Sequence, residues 1–229
     1  MATELLPCVE VAPRGPVKAA VIWMHGLGAD GHDFEPIVPY FGLSDDHGVR
    51  FVFPHAPKRA VTINMGLIMP AWYDIREIDL KRDHDESGIR ESAGQIEALL
   101  AREKERGVPA ANIVLAGFSQ GGAMALHVGL RHAESLAGIL ALSCYLVCAD
   151  SLEPEIHEAN RGVSIFQAHG RQDPMIPEER GSETRDRLIE LGYDVEWNTY
   201  TMGHEMHPRE IEDVGLWLRR RLLPPPASS

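Results

Sequence analysis

Short apolar runs recur along the chain, and each ends at a glycine, a proline or a polar cluster. Within each run the apolar residues follow one another without alternating polar positions. This pattern is typical of strands that are buried on both faces of a parallel sheet. It predicts strands at residues 19–24, 50–53, 112–116, 139–143 and 164–168, and a last strand is predicted at 193–200.

The segments between these runs have helical spacing. The clearest covers residues 86–106, with apolar side chains every three or four positions at Ile89, Ala93, Ile96 and Leu100. Further helices are predicted at 123–131, between Pro177 and Gly192, and from Pro208. Strands and helices therefore alternate, and crossovers between parallel strands are right-handed. The pattern predicts an α/β fold whose mostly parallel central sheet has helices on both faces.

The chain has 229 residues, of which 44% are hydrophobic and 24% are charged. Such a length and composition are typical of one globular domain with a full hydrophobic core. We expect a single domain over residues 1–229, with its core at about 16–222. Because three consecutive prolines start at Pro224 and cannot continue a helix, residues 224–229 are predicted to form a flexible tail.

Acidic residues outnumber basic residues by 34 to 22, so the formal net charge is −12. This charge disfavours nucleic acid and anionic membranes as partners. The sequence also has no apolar run of about 18 residues and no signal-peptide pattern at its start. Its three cysteines cannot all pair, which favours a reducing compartment. We therefore expect a cytoplasmic protein without stable membrane insertion.

A glycine-rich motif, Gly117-Phe118-Ser119-Gln120-Gly121-Gly122, follows one of the predicted strands and precedes a helix. It matches the G-x-S-x-G pattern in the strand–turn–helix context that exposes a nucleophilic serine on a tight turn. The flanking glycines avoid clashes there, and the helix N-terminus favours developing negative charge. The alternative is a glycine-rich turn with an incidental serine. The context favours Ser119 as the nucleophile.

A nucleophilic serine needs a histidine base and an orienting acid, which follow it in the order acid, then histidine, in this type of fold. His204 is the predicted base because it lies in the loop between the last strand and the last helix. Asp173 is the predicted acid because it directly follows the strand at 164–168, and Asp150 is its rival. His169 ends a predicted strand but precedes Asp173, so it breaks this order. The remaining downstream histidines fit packing, surface or helix-start roles: His127, His132, His157 and His207.

Acyl transfer also needs two backbone N–H groups aimed at the developing oxyanion. One comes from the residue after the nucleophile, here Gln120, and the other from an early loop after the first buried strand. That loop carries His25-Gly26-Leu27-Gly28, so Leu27 is the predicted second donor. His25 itself is expected to pack the loop rather than to transfer protons.

The segment 64–73 is apolar but is interrupted by glycine and proline, unlike a core strand. Its flexible methionines and aliphatic side chains suit an acyl chain, and the alternative is a hydrophobic hairpin that closes over the core. The candidate substrate-binding residues are Met65, Leu67, Ile68, Met69 and Trp72. Cys144 and Cys148 have no metal-ligand partners at useful spacing, so we expect no metal site.

Five motifs occur in one order along the chain: His25-Gly26-Leu27-Gly28, Trp72-Tyr73-Asp74, Gly117-Phe118-Ser119-Gln120-Gly121-Gly122, His169-Gly170-x-x-Asp173-Pro174 and Gly203-His204. In this combination residues 16–222 resemble the phospholipase/carboxylesterase family of small α/β-hydrolases, which includes acyl-protein thioesterases and bacterial carboxylesterases. The resemblance implies the α/β-hydrolase fold, a triad of Ser119, Asp173 and His204, and an acyl-chain groove at 65–72. The chain departs from the thioesterases at Met206, where they carry a small or polar residue, and at acidic Glu205 before it.

Together with this resemblance, the residues lead us to expect a serine carboxylesterase that hydrolyses short- to medium-chain esters through an acyl-serine intermediate, without metal or organic cofactor. One alternative is an acyl-protein thioesterase or lysophospholipase. A second is a catalytically silent hydrolase fold that serves as a binding module, against which the intact triad residues argue. The expected partner is a small-molecule ester or thioester. The apolar segment near residues 65–69 could instead cover a homodimer interface.

Overall fold

The computed structural model describes residues 5–44, 46–76 and 85–223. The strands of these ranges are β1 (Cys8–Val11), β2 (Ala19–Met24), β3 (Val49–Pro54), β4 (Lys58–Val61), β5 (Leu67–Pro70), β6 (Ile113–Phe118), β7 (Gly138–Leu142), β8 (Ile165–Gly170) and β9 (Val195–Tyr200). The helices are α1 (Glu86–Glu105), α2 (Gln120–Gly129), α3 (Ala149–Glu155), α4 (Glu178–Glu190) and α5 (Pro208–Leu222).

The central sheet has the strand order β1-β3-β2-β6-β7-β8-β9. All neighbouring strands are parallel except β1, which pairs antiparallel with β3 at one edge. The parallel strands therefore present their carboxyl ends along one edge of the sheet, where loops from several strands can meet. β4 and β5 form a separate antiparallel hairpin.

Helices cover both faces of this sheet. All six residues of β2 are buried, and they alternate between two hydrophobic clusters. Ile22 and its neighbours two positions away pack with α1 and α2, whereas Val21 and Trp23 pack on the opposite face with α5 and the 3₁₀ helix Glu35–Phe41. This arrangement confirms the predicted α/β fold, and it explains why the strands appear in the sequence as uninterrupted apolar runs.

The predicted strands agree with the observed ones to within two residues, and α1 begins at the predicted Glu86. α1 begins there because the Asp85 side chain accepts the N–H of Gly88. α2 begins at Gln120, three residues before its predicted start, because the nucleophile motif itself forms the first turn. Four of these elements were not predicted: β1, whose pattern is short and mixed, the hairpin strands β4 and β5, and α3.

Two hydrophobic clusters share the one central sheet, and the single-domain prediction remains a prediction. The predicted tail at 224–229 lies outside the described residues. Within 5–44, 46–76 and 85–223, no helix is long and apolar enough to cross a membrane.

Candidate active site

Ser119 lies in a tight turn between β6 and α2, with a φ of 55° and a ψ of −122°. Such a backbone conformation is uncommon for a residue with a side chain and marks a strained turn. The turn is compact because two glycines flank it. A Cβ atom on Gly117 would lie 2.2 Å from the carbonyl group of Gly121, and one on Gly121 would lie 2.2 Å from the Met24 oxygen. The structure therefore requires glycine at both positions.

Ser119, His204 and Asp173 are joined by hydrogen bonds. Ser119 Oγ lies 2.9 Å from His204 Nε2, and His204 Nδ1 lies 2.7 Å from Asp173 Oδ2. A carboxylate can only accept, so Nδ1 carries the proton and Nε2 is free to accept the serine hydroxyl. The three residues follow β6, β8 and β9, whose carboxyl ends meet at one edge of the sheet.

Asp173 is held in its ionised form. Burial of the carboxyl group opposes ionisation, but hydrogen bonds from His204 and from the Ile176 and Met175 N–H groups outweigh this effect and lower its pKa. Both N–H groups donate to Oδ1 at 2.9 Å, which leaves Oδ2 for the histidine. The carboxylate is therefore charged and fixed in orientation before any substrate binds.

A second histidine, His169, packs next to Asp173 without replacing His204. Its Nε2 lies 3.6 Å from Asp173 Oδ2 but is 2.8 Å from the Ile176 carbonyl oxygen, to which it donates. The ring is fully buried, and this burial lowers its pKa. A neutral ring adds no charge beside the acid.

The His204 ring packs against Phe118, with 4.8 Å between ring centroids.

The two predicted oxyanion donors come from two different elements near Ser119. Gln120 is the first residue of α2, and Leu27 is in the loop after β2. Among the described residues, neither backbone N–H has a hydrogen-bond acceptor. Gly26, beside Leu27, lies so close to Ser119 that a Cβ on it would be 3.4 Å from the serine Cβ. Both N–H groups are thus available for an incoming oxygen.

His25 has the structural role that its sequence context predicts. Its Nδ1 lies 2.7 Å from the carbonyl oxygen of Gly26, and its Nε2 accepts the N–H of Ala56 at 3.1 Å. Burial lowers the pKa of the ring. A neutral imidazole with both nitrogens occupied stabilises the loop and does not exchange protons with a substrate.

A cavity of about 410 Å³ opens onto Ser119 and His204. Its volume lies in the range of small-molecule sites. Most of its lining is apolar, and the apolar side chains come from separate parts of the chain: Leu27, Ala29, Ile63, Met69, Ile75, Phe118, Met175 and Ile176. Tyr73 and Tyr145 also belong to the lining, and their hydroxyl groups lie 3.2 Å apart. Burial raises the pKa of both phenols, that of Tyr145 to about 12.

The candidate groove residues divide into three groups in the structure. Met69 lines the cavity. Met65, Leu67 and Ile68 lie outside its lining on the hairpin, where 98%, 62% and 69% of their surface is exposed. Trp72 is fully buried, and its ring N–H donates to the His25 carbonyl oxygen at 2.9 Å, so it supports the neighbouring loop and does not line the cavity. Strand alternation does not explain this division, because Leu67 and Met69 share one strand face and only Met69 lines the cavity; the way the hairpin docks decides it.

Sequence reasoning missed several residues that line the cavity. Tyr145 follows β7, and its position after the carboxyl end of a central strand is the signal that could have identified it. Met175 and Ile176 lie in the loop that folds around the Asp173 carboxylate, and a loop path of this kind has no sequence periodicity to reveal it. Tyr73 appears in the sequence only as the neighbour of Trp72.

The rival residues have other surroundings. Asp150 lies in the first turn of α3, and His157 caps a 3₁₀ turn. His127 is buried in α2, which lowers its pKa to about 3. His207 caps α5. Cys144 and Cys148 are buried free thiols, and burial raises their pKa. Across the described ranges, no group of three or more His, Cys, Asp or Glu side chains could hold a metal ion.

The sequence profile of the phospholipase/carboxylesterase family matches residues 7–221. Acyl-protein thioesterase 1 of Gibberella zeae is 40% identical over 217 residues, which span 90% of this chain and 92% of that protein. The crystal structure of SOBER1 from Arabidopsis thaliana aligns with a TM-score of 0.85 and 31% identity, over 90% of this chain and 100% of the other. Acyl-protein thioesterase 2 of Zea mays aligns with a TM-score of 0.84 and 26% identity, over 94% and 99%.

Proposed function

Because this chain belongs to the phospholipase/carboxylesterase family and is a serine hydrolase, we propose that it cleaves long-chain acyl thioesters, of the kind carried by S-acylated proteins, through an acyl-serine intermediate. The observation that carries the proposal is the apolar cavity that opens onto Ser119, whose hydroxyl is hydrogen-bonded to the His204–Asp173 pair. An apolar cavity suits the acyl chain, and the hydrogen-bonded serine suits attack on its carbonyl carbon.

In the proposed reaction, Ser119 Oγ attacks the thioester carbonyl carbon while His204 Nε2 takes the hydroxyl proton. The carbonyl oxygen becomes an oxyanion that accepts the N–H groups of Leu27 and Gln120. The tetrahedral intermediate then expels the thiolate, which receives the proton from His204. Water activated by the same imidazole hydrolyses the acyl-serine, and Asp173 stabilises the imidazolium in both halves without being protonated.

The comparisons change which of the two enzyme hypotheses is better supported. The sequence alone favoured a carboxylesterase of short- to medium-chain esters, with a thioesterase or lysophospholipase as the alternative. The curated relative at 40% identity is named an acyl-protein thioesterase, and this name supports the alternative better. Met206, which departs from the thioesterase pattern in sequence, packs against the hydrophobic cluster on the α5 side of the sheet and is not part of the cavity lining. Its identity therefore gives no argument against a thioesterase.

The test is a matched series of S-acyl cysteine peptides and p-nitrophenyl esters with chains from acetyl to palmitoyl. We expect kcat/KM on the thioesters to rise towards the long chains and to vanish in the Ser119→Ala protein. A maximum at short or medium esters, with poor thioester turnover, would restore the carboxylesterase hypothesis. Equal turnover by wild type and Ser119→Ala would remove the nucleophile assignment, and binding of acyl chains without turnover would leave the binding-module hypothesis.

A further inference from the structure

The two oxyanion donors are far apart in the sequence, and residues 70–74 connect them. Pro70 ends β5, and residues 71–74 belong to no helix or strand. The backbone of this segment is nevertheless almost fully paired, largely by side chains of other elements. We propose that residues 70–74 position both oxyanion donors. The Gln120 side chain links one donor to this segment and the Trp72 ring links the other, so that Gln120 and Trp72 are positioning residues. The inference rests on the nucleophile and oxyanion assignments of the proposed function.

The Gln120 side chain is a clamp on this segment. Its Oε1 accepts the backbone N–H of Trp72 at 2.8 Å, and its Nε2 donates to the carbonyl oxygen of Tyr73 at 2.7 Å. The side chain is buried, so these bonds have no competition from water. The residue whose backbone N–H serves as one donor therefore has its side chain attached to the segment by two hydrogen bonds.

The other donor, Leu27, is tied to the same segment on both sides. The Trp72 ring N–H donates to the carbonyl oxygen of His25 at 2.9 Å, two residues before Leu27. The N–H of Gly28, one residue after Leu27, donates to the carbonyl oxygen of Pro70 at 2.9 Å. These two contacts fix the path of the loop that carries Leu27, and with it the direction of the Leu27 N–H.

Other elements hold the segment itself in place. Arg59 Nε donates to the Ala71 carbonyl oxygen at 2.9 Å, and the Ser92 hydroxyl of α1 donates to the carbonyl oxygen of Trp72. Asp85, the cap of α1, accepts the N–H of Asp74 at 3.0 Å. The segment is therefore a rigid support that is anchored to the hairpin and to α1, and a shift of it would move both donors together.

Oxyanion stabilisation depends on donors placed to within a fraction of an ångström. Loss of the clamp should therefore lower transition-state binding while the backbone N–H of residue 120 remains in place. This separates Gln120 from a simple structural residue, whose loss would lower stability alone. It also separates it from a substrate-contacting residue, whose loss would raise KM.

The experiment compares wild type with Gln120→Met, which keeps the side-chain length and the backbone donor but removes both clamp bonds. Trp72→Phe, which removes the ring N–H, is the second variant. The matched control is Asn160→Leu. Asn160 is an equally buried amide whose Oδ1 accepts the Leu136 N–H at 2.9 Å and whose Nδ2 donates to the Glu134 carbonyl oxygen at 2.8 Å, in loops outside the cavity lining.

Three quantities are measured: kcat and KM on a p-nitrophenyl ester, inhibition by an alkyl boronic acid, and binding of a non-reacting ether analogue of the substrate. The boronate forms a tetrahedral adduct on the serine and places an oxygen between the donors, whereas the ether does not. We expect Gln120→Met to lower kcat about tenfold to a hundredfold with little change in KM, and to weaken the boronate by the same factor. The Kd of the ether analogue should stay within about twofold of the wild-type value, because the lost contact acts on the transition state and the ether does not resemble it.

Trp72→Phe should act in the same direction, and the double variant should lose less than the product of the two single effects because both act through one segment. Asn160→Leu should lower Tm while kcat and boronate inhibition stay at wild-type values. The proposal is overturned if Gln120→Met and Trp72→Phe lower Tm as the control does but keep wild-type kcat and boronate affinity. Failure of the proposed function looks different: wild type would then prefer short esters to long thioesters, or Ser119→Ala would retain activity, and neither result depends on Gln120 or Trp72. If Gln120→Met does not fold, Trp72→Phe decides by the same measurements.

Discussion

Asp173 uses its two carboxylate oxygens for different tasks. Oδ2 lies 2.7 Å from His204 Nδ1, while Oδ1 accepts the backbone N–H groups of Met175 and Ile176 at 2.9 Å. The loop thus holds the acid with one oxygen aimed at the imidazole, and Ile176, which completes this hold, also lines the cavity. One short loop therefore both orients Asp173 and forms part of the cavity wall.

Replacing Asp173 by Asn should lower kcat by about 10³- to 10⁴-fold, because the amide stabilises the wrong histidine tautomer and leaves the imidazolium without its counter-charge. The measurement is steady-state hydrolysis of a p-nitrophenyl ester, with Tm recorded beside it. Asp150→Asn, at an exposed position in the first turn of α3, is the control and should retain activity. Comparable losses in the two variants would contradict the assignment of the acid.

Because the turn at Ser119 is compact, one added methyl group at Gly121 should lower the stability of the protein strongly. Gly121→Ala would place a Cβ 2.2 Å from the Met24 carbonyl oxygen of β2, so we expect a loss of about 3 kcal/mol or more in the free energy of unfolding. Gly94→Ala is the matched control, because Gly94 is exposed in α1 and has nothing within 4 Å of an added Cβ. It should stabilise the protein by about 0.5–1 kcal/mol. Urea denaturation measures both, and equal effects would refute the steric account.

A buried acid at the start of α5 predicts a pH-dependent stability. Burial raises the pKa of Glu210 from its ordinary value of 4.5 to about 8, and the nearby Asp213 charge adds to this effect. Its Oε2 accepts the His207 N–H, and its Oε1 has no partner among the described residues. The folded protein therefore holds this proton more tightly than the unfolded chain does. The corresponding stability is present below about pH 4.5 and is lost as the pH rises through about 8.

Glu210→Gln keeps an acceptor for the His207 N–H and removes the titration. We expect the wild type to lose at least about 1 kcal/mol more than the variant between pH 5 and pH 8.5. Guanidinium denaturation at the two pH values measures this difference, in which the titration of all other groups cancels. Parallel pH profiles for the two proteins would show that Glu210 is already ionised at pH 5.

The hairpin offers two methionines that test where the acyl chain lies. Met69 lines the cavity, whereas Met65 is 98% exposed outside its lining. Met69→Ala removes apolar contact, at about 0.8 kcal/mol per lost buried CH₂, so kcat/KM for an octanoyl ester should fall roughly tenfold while the acetyl ester changes little. Met65→Ala should leave both values unchanged. Equal losses in the two variants would place the acyl chain along the outer face of the hairpin.

The sequence alone predicted the elements that follow local rules. Strands buried on both faces must be apolar throughout, which is why 19–24 coincides with β2. The turn at Ser119 can close only with small neighbours, so Gly117 and Gly121 marked it in the sequence. The order of acid and histidine after such a turn then selected Asp173 and His204. In the structure His204 lies within hydrogen-bonding distance of both Asp173 and Ser119.

The tertiary structure decided the rest, because it depends on which distant residues meet. No local pattern separates Met69, which faces the cavity, from Leu67 and Ile68, which face solvent, since their directions follow from how the hairpin docks. Trp72 appeared to be a groove residue because it is apolar, yet its ring N–H donates a hydrogen bond to the carbonyl oxygen of His25, 47 residues away in the sequence. The Gln120 side chain is a similar case, because its two partners are set by packing and not by sequence spacing. Apolar periodicity records whether a side chain is buried, but it does not record which side chain it is buried against.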